Sequence, residues 1–104
     1  MQTGTLTTTE GPRYSATLKT GAMTVTMAGT AVAIGSATDV REVLIQAKRT
    51  NSGQIYVGPV GVLNDNTNGV CLEKTDFVKF YCTTLADIYI NATVSKEGVT
   101  FLYW

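Results

Sequence analysis

The sequence predicts an all-β chain, an antiparallel β-sandwich with jelly-roll or related Greek-key topology. Three observations carry this. No window of eleven or more residues spaces its apolar side chains as a helix face requires. Short runs rich in β-branched and aromatic residues recur instead, separated by Gly, Asn, Asp and Ser. Several runs alternate apolar with polar residues, the period of a sheet with one buried and one wetter face.

In order, strands are expected over residues 15–19, 23–27 and 31–34, the last a short apolar run. Residues 42–49 follow, with Val43, Ile45 and Ala47 facing one way and Glu42, Gln46 and Lys48 the other. Leu44 breaks that alternation, which implies a second apolar surface. A brief strand at 54–57 (Gln54-Ile55-Tyr56-Val57) lies between two clusters of turn residues. Then come 70–73 and 77–82, where Val78, Phe80 and Cys82 alternate with Lys79 and Tyr81. In 87–93, Ile88, Ile90 and Ala92 alternate with Tyr89 and Asn91. The strand 99–104 ends the chain. The predicted core is Val43, Ile45, Ile55, Val57, Phe80, Ile88, Ile90 and Phe101, with Phe77 as a further core aromatic.

The chain has 104 residues, which suits one domain, expected over 13–104. Residues 1–12 are different: they are polar, Thr-rich and hold almost nothing to bury, and Gly11-Pro12 marks a break. This segment is expected either as an extended arm held by a neighbouring chain or as a first strand paired inside its own subunit.

Charged residues make up 15% of the chain, against roughly a quarter in an average soluble domain. The surface must therefore be covered by uncharged polar groups, which favours life in contact with other proteins. Eight basic and eight acidic residues cancel, and no basic stripe exists to follow phosphates, so no nucleic-acid partner is expected. Lys48-Arg49 reads as a solvated strand end. No run approaches the ~20 apolar residues of a membrane helix, and no leader is legible at Met1-Gln2-Thr3-Gly4, so no membrane partner is expected. Cys71 and Cys82 are too few for a disulfide scaffold and are expected as free thiols. A hairpin of 70–73 with 77–82 would bring them face to face.

The chain has no His, which removes the usual general base and most zinc sites. No phosphate-cradling glycine motif occurs. Asp65, Glu73, Asp76, Asp87 and Glu97 are scattered over expected turns rather than paired as glycoside hydrolysis requires. No enzyme activity, cofactor or metal is expected. The stretch from Asn64 to Gly69 imitates the start of a calcium loop. Position one is Asn64 rather than Asp, however, and position twelve is Thr75 where a bidentate Glu is needed. It reads as a turn rich in Asn, which tolerates left-handed backbone. The triplet Asn91-Ala92-Thr93 matches a glycosylation acceptor, a match that arises often by chance. Trp104, an apolar ring beside a carboxylate, suits the rim of a contact surface.

From about residue 39 onward the chain resembles a recurrent small β-domain of tailed-bacteriophage virion proteins. The resemblance rests on "REVLIQAKRTNSGQIYVGPVGV", "NGVCLEK" and "LADIYINATVSKEGVTFLYW". It departs at Glu73-Lys74-Thr75-Asp76, where the group often carries Pro-Gly. The resemblance implies a structural protein of the virion, assembled in the host bacterial cytoplasm. It implies foremost a capsid decoration (cement) protein on the outer surface of the head, oligomeric and favouring a trimer, with the major capsid protein as partner. The alternatives are a tail or fibre adhesin domain, or a free carbohydrate-binding module, recognising a surface glycan. Partner contacts are expected from Met1, Thr3, Thr5, Leu6 and Thr7 of the arm and from Tyr103 and Trp104 at the other end.

Overall fold

The computed structural model describes residues 17–104. The expected arm, with Met1, Thr3, Thr5, Leu6 and Thr7, and the start of the expected strand 15–19 lie outside the described residues.

Among the described residues eight strands form: β1 Lys19–Val25, β2 Val32–Ala33, β3 Glu42–Ala47, β4 Ile55–Gly58, β5 Val70–Leu72, β6 Phe77–Tyr81, β7 Tyr89–Ala92 and β8 Glu97–Tyr103. A 3-10 turn, η1 Leu85–Asp87, precedes β7 and is capped by Thr84, whose hydroxyl accepts the Ala86 N–H. The strands make two four-stranded sheets, ordered β1-β8-β3-β6 and β2-β7-β4-β5. Every pairing is antiparallel, and the pairs nest: β1 with β8, β2 with β7, β3 with β6, β4 with β5. Such nesting is one long hairpin wrapped over itself into two layers, a jelly roll.

Its core holds most of the predicted residues and others besides, with two exceptions, Phe80 and Phe77. Val43, Ile45, Ile55, Val57, Ile88, Ile90 and Phe101 are buried, joined by Val25, Ile34, Leu72, Leu85 and Val99. Phe80 is only half-buried, because β6 is an edge strand and has a neighbour on one side alone.

Four expectations are corrected. The described part of the run 15–19 and the run 23–27 are not separate strands. β1 continues through Gly21 because Phe101, its cross-strand partner, lays its ring over the missing side chain; a Cβ there would sit 2.4 Å from the ring. Residues 70–73 and 77–82 are not a hairpin. β5 and β6 belong to opposite sheets, so Cys71 and Cys82, both free, do not face each other. Phe77 is no core aromatic: it is 67% exposed, because it lies on the outward side of β6 with Lys79 and Tyr81. Asp87, expected at the start of the strand 87–93, belongs instead to the 3-10 turn, whose Leu85 enters the core.

The two turn clusters around β4 do more than reverse the chain. On one side, the buried Asn51 clamps β8: its amide donates to the Gly98 carbonyl (2.9 Å) and accepts from the Gly98 N–H (3.3 Å). Beside it the Glu97 carboxylate accepts from the Ser52 N–H, the Ser52 hydroxyl and the Gly53 N–H, at 2.6, 2.8 and 2.9 Å. Desolvation pushes the Glu97 pKa up. The hydrogen bonds to its charged form outweigh that and hold it below its ordinary 4.5. A folded-state pKa below the unfolded one gives stability that is full above about pH 4.5 and lost as pH falls through the folded value. Glu97→Gln is therefore expected to lower the thermal midpoint at neutral pH, with the gap to the parent closing as the pH is taken below 4.5. Melting curves across that range check this; a gap independent of pH would refute the role of the charge.

On the other side, residues 59–69 fold over the outer face of the second sheet. Asn91, alternating outward on β7, is nonetheless 1% exposed. Its amide donates to the Val62 carbonyl (2.9 Å), and its oxygen accepts from Gly29 (3.0 Å) and Ala92 (2.8 Å). Asn64 adds a bond to the Ala92 carbonyl (2.9 Å). Tyr56, also outward, is buried beneath the same cover, and a hydrogen bond with Cys71, together with burial, raises its phenol pKa. The turn itself uses Asn66 in left-handed backbone (φ 66°) and the Asp65 carboxylate accepting from Thr67 (3.0 Å), as its composition predicts. A buried Asn91 is no acceptor for a glycan.

Candidate docking face

The other outer face is left bare by the described residues. The outward residues of the first sheet follow from its register. One row runs Thr20–Leu102–Leu44–Lys79 and the next runs Ala22–Thr100–Gln46–Phe77. At the end of the sheet Trp104 and Glu42 exchange backbone hydrogen bonds (Trp104 N–H to Glu42 carbonyl 3.2 Å, the reverse 3.3 Å), and Tyr81 lies opposite Glu42. Alternation along β8 thus carries Thr100, Leu102 and Trp104 to the same side.

This face is poor in charge. Lys79 pairs with Glu42 at 3.3 Å and also lies 5.8 Å from the Tyr81 ring centre. Glu42, expected to face water, is 8% exposed because Lys79 and the end of β8 cover it. Leu44 and Leu102, half-buried, line a shallow groove of about 500 Å3 with Thr20, Ala22, Gln46 and Thr100. The second apolar surface implied by Leu44 is this groove. Phe77 and Tyr81 stand at its edge, 67% and 77% exposed; no other aromatic among the described residues is as exposed.

The expected contact residues at the C-terminal end divide. Trp104 reaches the face, half-buried, with its carbonyl also accepting from the Arg41 N–H at 2.7 Å. Tyr103 alternates inward, packs against the core, stacks at 5.8 Å on Phe101 and lies under Lys19 at 5.9 Å. Phe77 was missed as a contact residue because an aromatic side chain in a strand reads first as core; Tyr81 is expected on the wetter side with Lys79 but does not read there as a contact. The available signal was Lys79: in strict alternation its two aromatic neighbours at i−2 and i+2 must share its wet side.

The candidate chemical groups are dispersed. Asp76 accepts from Glu73 N–H across a turn (3.0 Å) in which Thr75 takes φ 69°, Glu73 meets Gln54 (3.3 Å), and Glu97 is held by the 51–53 turn. Among the described residues no three acidic, Cys or His side chains group as a metal site would need, and no helix is long and apolar enough to cross a membrane. Burial raises the Cys82 thiol pKa, so it is not an activated nucleophile. The arrangement offers a weakly charged sheet face with aromatic residues at its edge. No protein-family model, curated protein or solved structure matches the chain.

Proposed function

We propose that this chain is a non-enzymatic structural protein of a tailed-bacteriophage virion, a decoration protein that binds the assembled head and stabilises it. Its partner is the major capsid protein, and its place is the outer surface of the head, reached after assembly in the host cytoplasm. The sequence resemblance from residue 39 onward supports the virion assignment. One structural observation carries the mode of action: one outer face is roofed by the chain's own loops, while the other is left bare by the described residues, apolar at its centre and aromatic at its edge. Exposed apolar surface of this kind marks an interaction site, and aromatic side chains dominate the energetics of such contacts. The arm segment, including Met1, Thr3, Thr5, Leu6 and Thr7, supplies a second attachment in this proposal. Thr-rich extended backbone has donors and acceptors to offer a neighbouring sheet edge.

Co-sedimentation with heads stripped of accessory proteins tests this. The parent is expected to pellet with assembled shells and not with unassembled capsid subunits. Trp104→Ala and Leu102→Arg are each expected to weaken binding by ~1–4 kcal/mol, with little change in thermal midpoint. Failure of the parent to bind shells would reject the proposal. Parent-like binding by both variants would move the attachment away from this face.

A second reading has one observation in its favour. Phe77 and Tyr81 share a side of β6 and stand about 13–14 Å apart at strand rise, open to stack on sugar rings. Binding to cells or glycans, with none to shells, would select an adhesin domain instead.

A further inference from the structure

We infer that the free edge of β6 is a self-association site: two copies pair their β6 strands antiparallel about a two-fold axis at Lys79, joining their first sheets into one. The inference concerns the protein alone in solution and does not rest on shell docking.

The first argument is which backbone groups are free. Cys82 donates to the Arg41 carbonyl (3.3 Å) and Ala47 to that of Asp76 (3.0 Å). In the register between them, Phe80 and Val78 turn their backbone groups toward β3. Phe77, Lys79 and Tyr81 therefore turn theirs outward, where no strand among the described residues lies, since β6 ends the sheet. The second sheet's edges, β2 and β5, are only two and three residues long. Short edges are poor templates; of the first sheet's two edges β1 offers seven residues and β6 five, and the sequence of β6 decides between them.

The second argument is the strand's own sequence. Phe77-Val78-Lys79-Phe80-Tyr81 reads aromatic, apolar, Lys, apolar, aromatic, nearly a palindrome in character. Antiparallel pairing about a two-fold needs such a palindrome, because residue i meets its mirror position. Centred on Lys79, the pairing sets each Phe77 opposite a Tyr81 of the other copy. The two exposed aromatics each gain a cross-strand aromatic partner, a favoured pair. The outward-directed backbone groups of Phe77, Lys79 and Tyr81 are all satisfied at once.

The third argument is charge. The axis brings two Lys79 side chains together, and like charges directly opposite are unfavourable. Here each Lys79 carries its own Glu42 at 3.3 Å and lies against its own Tyr81 ring. The patch is neutral in each copy, so the two copies meet without net repulsion. An edge Lys usually discourages pairing; its neutralisation by Glu42 removes that protection.

The experiment is the mass of the whole chain in solution, by sedimentation equilibrium from about 1 μM to 1 mM, with two variants. Lys79→Pro removes only an outward N–H from the ladder, where an edge strand tolerates proline, and it also removes the Lys79 charge. Phe77→Ser with Tyr81→Ser leaves the backbone intact and deletes the aromatic pairs. A mass of two chains for the parent is expected, with the dissociation constant raised at least about tenfold in both variants. In the parent the amides of Phe77, Lys79 and Tyr81 are expected to exchange more slowly as concentration rises. A one-chain mass throughout overturns the inference. So does a three-chain mass, which needs β6 to meet a different edge, and so does a two-chain mass unchanged in both variants.

Discussion

Gly98→Ala is expected to destabilise the fold by ~3 kcal/mol or more, read as a lower denaturant midpoint at unchanged slope. The ordinary expectation has the opposite sign, since Ala is preferred to Gly inside a strand by roughly 0.5–1 kcal/mol. Geometry decides against it. Gly98 pairs with Thr24 across β1 and β8, and a Cβ there would lie 2.1 Å from the Met23 carbonyl oxygen and 2.8 Å from Thr24 Cα. Both are backbone atoms of β1 and cannot turn aside as a side chain can. On its other side Gly98 is held by the buried Asn51 amide through both its N–H and its carbonyl. Moving β8 to relieve the clash breaks those bonds, and each buried group left unpaired costs about 1–3 kcal/mol. Thr100→Ala, exposed two residues on, should stay within about 0.5 kcal/mol and serves as control. A Gly98→Ala protein as stable as the parent would mean that β1 does not approach β8 as closely as described.

Ile45→Ala is expected to cost ~2–5 kcal/mol, a large part of the ~5–15 kcal/mol that holds a domain of this size together. Ile45 is fully buried at the middle of β3, opposite Val78 on one neighbour strand and Phe101 on the other. Its truncation opens a cavity that strands paired on both sides cannot close by shifting. For a domain of this length each kcal/mol lowers the thermal midpoint by about 4–8 °C. Calorimetry of the variant checks this, and a loss below about 1 kcal/mol would contradict the placement of Ile45 in the core.

Much of this architecture is legible in the chain because alternation is a local property. Val43, Ile45 and Ala47 must share a side of any strand they form, and burying that side is the only way to remove them from water. The sandwich, the strand order along the chain and the centre of the core, from Val43 and Ile45 to Ile90 and Phe101, follow from such runs. The Asn64–Gly69 turn is legible for the same reason, since the chemistry of Asn, Asp and Gly acts within a few residues.

What the tertiary structure alone decided is which outward sides meet water, a matter of contacts between residues far apart in sequence. Asn91 and Tyr56 alternate outward and are buried because residues 59–69 roof them. Phe77 and Tyr81 alternate outward and stay exposed, because no segment among the described residues crosses β6. Gly21 looks like a strand break until Phe101 is seen lying over it from eighty residues away. Cys71 and Cys82 are separated by the sheet assignment of β5 and β6, which depends on how the long hairpin wraps rather than on the sequence between them. The candidate face is therefore a product of the wrapping: period two says which residues face out, and only the packed loops decide which of those are left for a partner.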